Sequence, residues 1–449
     1  MRRKKLVFGL LGLVIIAVVY YFNTSYVETT KKLEQTKKLK QQINLQLNEL
    51  RIQGFSISNR EIKKEEEHFF ITLDDPKKAV VFFSQKGIRV KLEETEELRG
   101  LTLGADVAYL NDTIALELYP VELPINLTTL LTKENNKELL AQVDVMIKKK
   151  IFFVHIDLDH SATTFKGYFK DINETIRGGE EVKFSLHGYH FSGNVKEERI
   201  VKFKQTLNTC HLYMRGEIDR TISGLKSNYA LTGATAYDYT SSYTIEKLKI
   251  DDPPQTTLLA NDISLFSTSS VKDGLAVERL KTKIKNIDLI SEKEKVGMQT
   301  LEIEMNMSNI DINTYKKLQK VDAKDEKKVD ALLETLVSKN IHLEIPMLSV
   351  DRVTLHEKEM LGFSLDAKLD VDKSLDIYRL DIDPKHVLNK IDGDINLSLS
   401  KEILTLLKED PKAMLIYMIY RPKRALGQKI YDINIKDSSV KINDKVLEF

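Results

Sequence analysis

The residues best suited to chemistry lie in the run His155-Ile156-Asp157-Leu158-Asp159-His160. Alternate side chains of an extended strand share a face, so His155, Asp157 and Asp159 would project together within reach of one cation. The same spacing is also what a solvated face opposite Ile156 and Leu158 requires. His187 and His190 follow in Leu186-His187-Gly188-Tyr189-His190-Phe191, where an interval of three puts them on opposite faces of a strand. The carboxylate pairs Asp370/Asp372 and Asp381/Asp383 read as wet faces without an acid/base partner. His356-Glu357-Lys358-Glu359-Met360 opens like a zinc-protease helix and lacks the second histidine.

Other signatures are missing. There is no Gly-rich phosphate loop, no dinucleotide fingerprint and no nucleophile elbow. Cys210 is the single cysteine, which excludes an intramolecular disulfide and a multi-cysteine zinc site. Its setting, Leu207-Asn208-Thr209-Cys210-His211-Leu212, suits a small buried apolar role. The pattern nominates no catalytic, cofactor-binding or metal-ligating residue, and the chain reads as a non-enzyme without a cofactor. Lys+Arg number 68 and Asp+Glu 67 in 449 residues, so the basic excess that nucleic-acid binding calls for is absent.

The elements that would position such residues begin with an anchor. Arg2, Arg3, Lys4 and Lys5 precede the uncharged run Leu6 to Phe22, and Tyr20, Tyr21, Phe22 and Tyr26 gather at its far end. Basic prefix, apolar span and aromatic belt together describe a membrane-crossing helix. No good small-x-small cleavage site follows, so the span reads as an uncleaved anchor, N-terminus in and the remainder out. From about Thr29 to Leu50 the chain is rich in Lys, Gln, Glu and Leu, and Leu39, Ile43, Leu47 and Leu50 have helical spacing up to a stop at Gly54.

Beyond Gly54 the dominant signal is alternation. It is clear in Val154-Ile156-Leu158, Val182-Phe184-Leu186, Leu301-Ile303-Met305-Met307, Ile341-Leu343-Ile345, Phe363 to Val371, Ile395-Leu397-Leu399 and Ile433-Ile435. Period two with one wet face predicts antiparallel strands. Gly178-Gly179, Asp252-Pro253-Pro254, Lys272-Asp273-Gly274, Asp383-Pro384 and Asp392-Gly393-Asp394 supply the turns. Helices are expected over Glu134–Lys150, Thr314–Lys339, Lys401–Lys408 and Lys412–Tyr420.

This layout resembles the YdgA-like bacterial envelope proteins, the domain-of-unknown-function 945 family. Three stretches carry the resemblance: Leu301 to Asp311 leading into the Thr314 helix, Gly393 to Leu399 before another helix, and the terminal run Val440 to Phe449. The resemblance implies a Gram-negative envelope, attachment to the inner membrane and a periplasmic domain. It supplies no agreed activity and no site residues.

The expected class is α+β: an N-terminal transmembrane helix, then a mostly antiparallel, strand-rich curved sheet, sandwich or groove with a few packed helices. The expected divisions are residues 1–24 as cytoplasmic tip and anchor, 25–54 as juxtamembrane helix or stalk, and 55–252 and 253–449 as two strand-rich parts. The expected function is binding of a lipid or another apolar ligand in a β groove by a periplasmic protein anchored in the inner membrane. An envelope scaffold acting through protein contacts is the alternative, and a metal-dependent hydrolase using His155 and Asp157 is a third reading. The expected partners are the inner membrane and a lipid or envelope protein, with no nucleic acid.

Overall fold

The computed structural model describes residues 32–447 apart from 86–91, 111–112, 127, 130–136, 160, 162, 179, 197–198, 253–255, 292–293, 319–320, 322–325, 356, 374, 376–387, 408–413, 415–416 and 426–427. The apolar run Leu6 to Phe22 and residues His160, His356, Asp381 and Asp383 therefore lie outside the described residues. The chain forms two compact units, Met1–Asn228 and Tyr229–Phe449.

In the first unit, helix α1 (Lys32–Ile52) buries Ile43, Leu47 and Leu50 along one stripe. It stops at Gly54, whose φ of 97° belongs to the left-handed region that a residue without Cβ enters freely. Strands β1 (Phe55–Ile62) and β2 (Glu66–Leu73) form a hairpin. Helix α2 (Pro76–Gln85) is capped by Asp75, whose Oδ1 accepts from the amides of Lys77 at 3.1 Å and Lys78 at 3.2 Å. A short helix α3 (Leu92–Glu96) leads to β3 (Thr102–Tyr109) and β4 (Thr113–Glu122), and α4 (Lys137–Lys148) precedes β5 (Val154–Asp159).

The unit continues through β6 (Thr164–Phe169), β7 (Ile172–Gly178), β8 (Glu180–His187), β9 (His190–Lys196) and β10 (Arg199–Met214). Lateral pairing runs β1–β2–β3–β4–β5–β6–β9–β10, and the far half of β10 pairs with β8, which pairs with β7. One face of this sheet packs Phe69, Ile71, Leu103, Val107, Leu116, Ile156 and Phe165 against α1 and α2. Gly167 and Gly193 face the same core, and each leaves room for an aromatic ring of the neighbouring strand: Phe191 lies over Gly167 and Phe165 over Gly193. At the β7 edge, the Gln142 side chain of α4 donates to Arg177 O at 2.8 Å and accepts from Arg177 N at 2.9 Å, as a neighbouring strand would.

Strand β11 (Ile218–Leu231) runs through the boundary. The second unit is a meander of long strands: β12 (Tyr239–Asp252), β13 (Thr256–Lys272), β14 (Leu275–Ser291) and β15 (Lys295–Asp311), then helices α5 (Ile312–Leu318) and α6 (Glu326–Val337). It resumes with β16 (His342–Leu355), β17 (Lys358–Val371), β18 (Ile391–Leu399), helix α7 (Lys401–Leu407), β19 (Lys423–Ala425), β20 (Gln428–Lys436), β21 (Ser439–Ile442) and β22 (Lys445–Leu447). Each strand from β12 to β18 pairs antiparallel with the next, β18 pairs with one edge of β20, and β19 and β21 pair with β20 along its other edge.

These findings correct the expected class. Strand dominates, each unit contains a single antiparallel sheet instead of the two facing layers of a sandwich, and no helix among the described residues is long and apolar enough to cross a membrane. Period-two alternation reports one buried face per strand; it does not distinguish a sandwich from one sheet whose face is covered by helices or left open. Asp252 pairs with Thr256 inside the second unit. The helix expected over Thr314–Lys339 is divided into α5 and α6.

Candidate functional site

The run around His155 does not assemble a cation site. His155 and Asp157 share the polar face of β5, with His155 Nε2 3.1 Å from Asp157 Oδ1. Asp159 instead closes the β5–β6 turn: its carboxylate accepts from Ser161 Oγ (2.9 Å), Thr163 N (2.7 Å), Thr163 Oγ1 (2.8 Å) and Thr164 N (3.1 Å). Burial raises the Asp159 pKa, and these donors outweigh it, so the carboxyl is held below its ordinary value. Among the described residues no three His, Cys, Asp or Glu side chains are arranged to hold a metal ion. His187 and His190 fall in different strands, His187 facing Asp171 at 3.4 Å. Cys210 is partly buried opposite Leu186, and burial pushes its thiol pKa up, away from reactivity.

A larger polar constellation emerges from strand register. His68, Asp106, Glu117, His155, Tyr168 and His190 are successive partners across β2, β3, β4, β5, β6 and β9, and so form one transverse row on the face opposite the core. His68 Nδ1 lies 2.5 Å from Asp106 Oδ1, and His155 stacks on Tyr168 with ring centroids 5.2 Å apart. Tyr119 donates to Asp106 Oδ2 at 2.9 Å and Lys150 donates to the same oxygen at 3.1 Å, while the Lys150 ammonium sits 3.5 Å from the Tyr119 ring centre. Burial pushes the Asp106 pKa up, but the bonds from His68, Tyr119 and Lys150 and the Lys150 charge win, leaving it below the ordinary value.

A cleft of about 450 Å³ opens beside this row, lined by Glu61, Lys63, Glu66, Glu67, His68, Asp106 and Glu117. Two of its carboxylates already have partners: Glu67 binds Arg60 and Tyr109, and Asp106 has three donors. Among the described residues no Ser, Thr or Cys side chain hydrogen-bonds His68 or His155. Through Lys150, the row fastens the sheet to the turn that follows α4. Each member occupies an ordinary polar position in its own strand, so only the register reveals it.

The second unit carries a different feature. On one side of the sheet, Ile263, Ile284, Leu301, Val350, Phe363 and Leu399 are successive partners across β13 to β18, and the next row along contains Leu265, Thr282, Ile303, Leu348, Leu365 and Leu397. The opposite side is charged. Lys281 faces Glu304 at 3.3 Å, Lys283 pairs with Glu302, Lys368 reaches Glu344 at 3.1 Å, and His342 Nδ1 lies 2.6 Å from Asp370.

Among the described residues, helices cover only the ends of the apolar side. One cluster packs Ala276, Ile310 and Val271 under Ile312, Tyr315 and Leu336, and another packs Leu399, Tyr431 and Phe363 under Leu404, Ile403 and Tyr417. Between them Leu265, Leu280, Ile284, Leu301, Ile303, Met305 and Leu348 are only partly buried and belong to neither cluster. Comparison with known protein families, curated proteins and solved structures finds no match to this chain.

Proposed function

We propose that the protein binds an elongated apolar chain, with lipid acyl chains as the class, along the uncovered apolar side of its second sheet. The carrying observation is the pair of apolar rows through Leu301 and Ile303, which no helix among the described residues covers between the two end clusters. Strands lie roughly 4.8 Å apart, so the row from Leu265 on β13 to Leu365 on β17, which stops short of the covered Leu397, spans about 19 Å, longer than half the roughly 30 Å hydrocarbon core of a bilayer. A row of that length accommodates an acyl chain laid across the strands. The charged opposite side keeps its solvation and directs apolar ligands to one face only.

The setting we propose is the inner membrane of a bacterial envelope, with attachment through the apolar run Leu6 to Phe22 and the sheets on the periplasmic side. The basic prefix, the aromatic residues at the end of the run and the resemblance to the YdgA-like family support that placement. Native mass spectrometry of the full-length protein extracted from bacterial membranes tests the binding. Discrete added masses that extract as phospholipid are expected. A protein whose only adducts are detergent, and which stays without added mass after incubation with membrane lipids, would contradict the proposal and favour the scaffold alternative.

A further inference from the structure

Residues 417–424 join exposed apolar tips to cations that have no carboxylate at ion-pair distance among the described residues. Met414, Met418 and Ile419 are 48, 61 and 53% exposed, although Tyr420 beside them is buried. The Lys445 ammonium donates to Ile419 O at 3.2 Å, which holds a positive charge next to the exposed Ile419 side chain. Arg421 is tied into the same surface through its carbonyl, which accepts from Asn443 Nδ2 at 2.9 Å.

Arg424 is the direct cross-strand partner of Lys429, and Lys429 in turn lies opposite Leu399 at the end of the apolar side. Like charges placed opposite each other in a sheet repel, and a fold normally separates them or supplies a counter-ion. Lys423 shows the usual solution, with Asp432 at 2.7 Å and Asp444 at 3.5 Å. Among the described residues, Arg421, Arg424 and Lys429 have no carboxylate within ion-pair distance.

We infer that Met418, Ile419, Arg421, Arg424, Lys429 and Lys445 form a docking surface for an anionic phospholipid bilayer. Thioether and aliphatic tips enter the boundary between headgroups and acyl chains, while guanidinium and ammonium groups meet lipid phosphates. Charge complementarity selects this occupant: exposed apolar tips with cations nearby in strand and sequence, and no carboxylate paired to Arg421, Arg424 or Lys429 among the described residues, suit an anionic interface. The inference stands apart from acyl-chain binding by the apolar rows, because it concerns exposed tips and cations beyond Leu399, where helix α7 already covers the sheet.

The test is hydrogen–deuterium exchange of the full-length protein in phosphatidylcholine vesicles with and without a third of phosphatidylglycerol. Amides of residues 417–424 and 443–446 are expected to exchange more slowly in the anionic vesicles, by about fivefold per engaged cation. High salt, and the double variant Arg421→Glu/Arg424→Glu with an unchanged melting temperature, should each remove the difference. Met418→Ser/Ile419→Ser should weaken it while leaving its salt dependence in place. Equal exchange in the two vesicles would overturn the inference. Equal protection by soluble polyglutamate would also overturn it, by showing that an acidic chain suffices without a bilayer.

Discussion

Asp262 and Lys285 face each other across β13 and β14, with Lys285 Nζ 3.3 Å from Asp262 Oδ2, at a line where the apolar pattern of the second sheet changes parity. On one side of the line the partnered row is Ile245–Ile263–Ile284–Leu301–Val350–Phe363, and on the other it is Leu248–Ala260–Ile287–Met298–Val353–Met360. In all six strands the two rows are three residues apart, where regular pleating would require two or four. Asp262 with φ 51° and Thr300 with φ 53° lie between the rows in β13 and β15, so left-handed backbone accompanies the shift.

The ion pair itself is exposed on both sides and contributes little. The backbone conformation contributes more. Asp262→Val is expected to lower unfolding free energy by about 1–2 kcal/mol, the cost of a β-branched residue in the left-handed region, whereas Asp262→Gly should stay within roughly 0.5 kcal/mol of the parent. Denaturant titration distinguishes them; equal losses in the two variants would show that the carboxylate, and not the backbone, matters.

Glycine does steric work in the first sheet. A Cβ at Gly193 would lie 2.7 Å from Phe165 Cε1 and 2.6 Å from the Lys202 carbonyl oxygen. Gly193→Ala is therefore expected to cost about 1–3 kcal/mol through overpacking, and Phe165→Leu in the same chain should recover part of that loss. Additive losses, measured by the same titration, would contradict the contact.

Asp159 separates the turn role from the metal role. Asp159→Ala removes the acceptor of four hydrogen bonds and should destabilise by about 1–3 kcal/mol. Adding zinc, manganese or calcium to the parent protein should leave its melting temperature unchanged. A metal-dependent rise abolished by Asp159→Ala would restore the cation reading of His155, Asp157 and Asp159.

Asp106 sets a pH dependence. Burial opposes its ionisation, but His68, Tyr119 and Lys150 hold its folded pKa below the ordinary 3.8. A carboxyl depressed on folding adds stability above its unfolded pKa, and that stability is lost as pH falls through the folded value. Unfolding free energy should thus decline as pH is lowered below about 4, and Asp106→Asn should flatten that decline. An identical acid slope in the variant would place the effect elsewhere.

The strands were legible because alternation is local: Phe363 to Val371 announces its two faces without reference to any other segment. The Ile43-Leu47-Leu50 stripe and Gly54 were legible for the same reason. Register was not. The row from His68 to His190 draws on six strands whose separations include α4 and several turns, and nothing in a single strand reports its offset from a neighbour. The parity change was hidden too, since Ile284 and Ile287 at an interval of three look like an interruption of alternation rather than a feature shared by six strands. Single-sheet architecture escaped because half-buried strands of a sandwich and of an open sheet share one pattern.

The central claim is that the uncovered apolar side of the second sheet holds acyl chains, and neighbouring residues of β15 test it most directly. Ile303 lies on that side, while Glu302, paired with Lys283, lies on the charged side. A photoreactive benzoylphenylalanine placed at either position in the full-length protein, irradiated in intact bacterial membranes, reports which neighbour each face touches. Phospholipid adducts at Ile303 and none at Glu302 are predicted. Adducts at both positions alike, or cross-links from Ile303 to protein alone, would contradict acyl-chain binding.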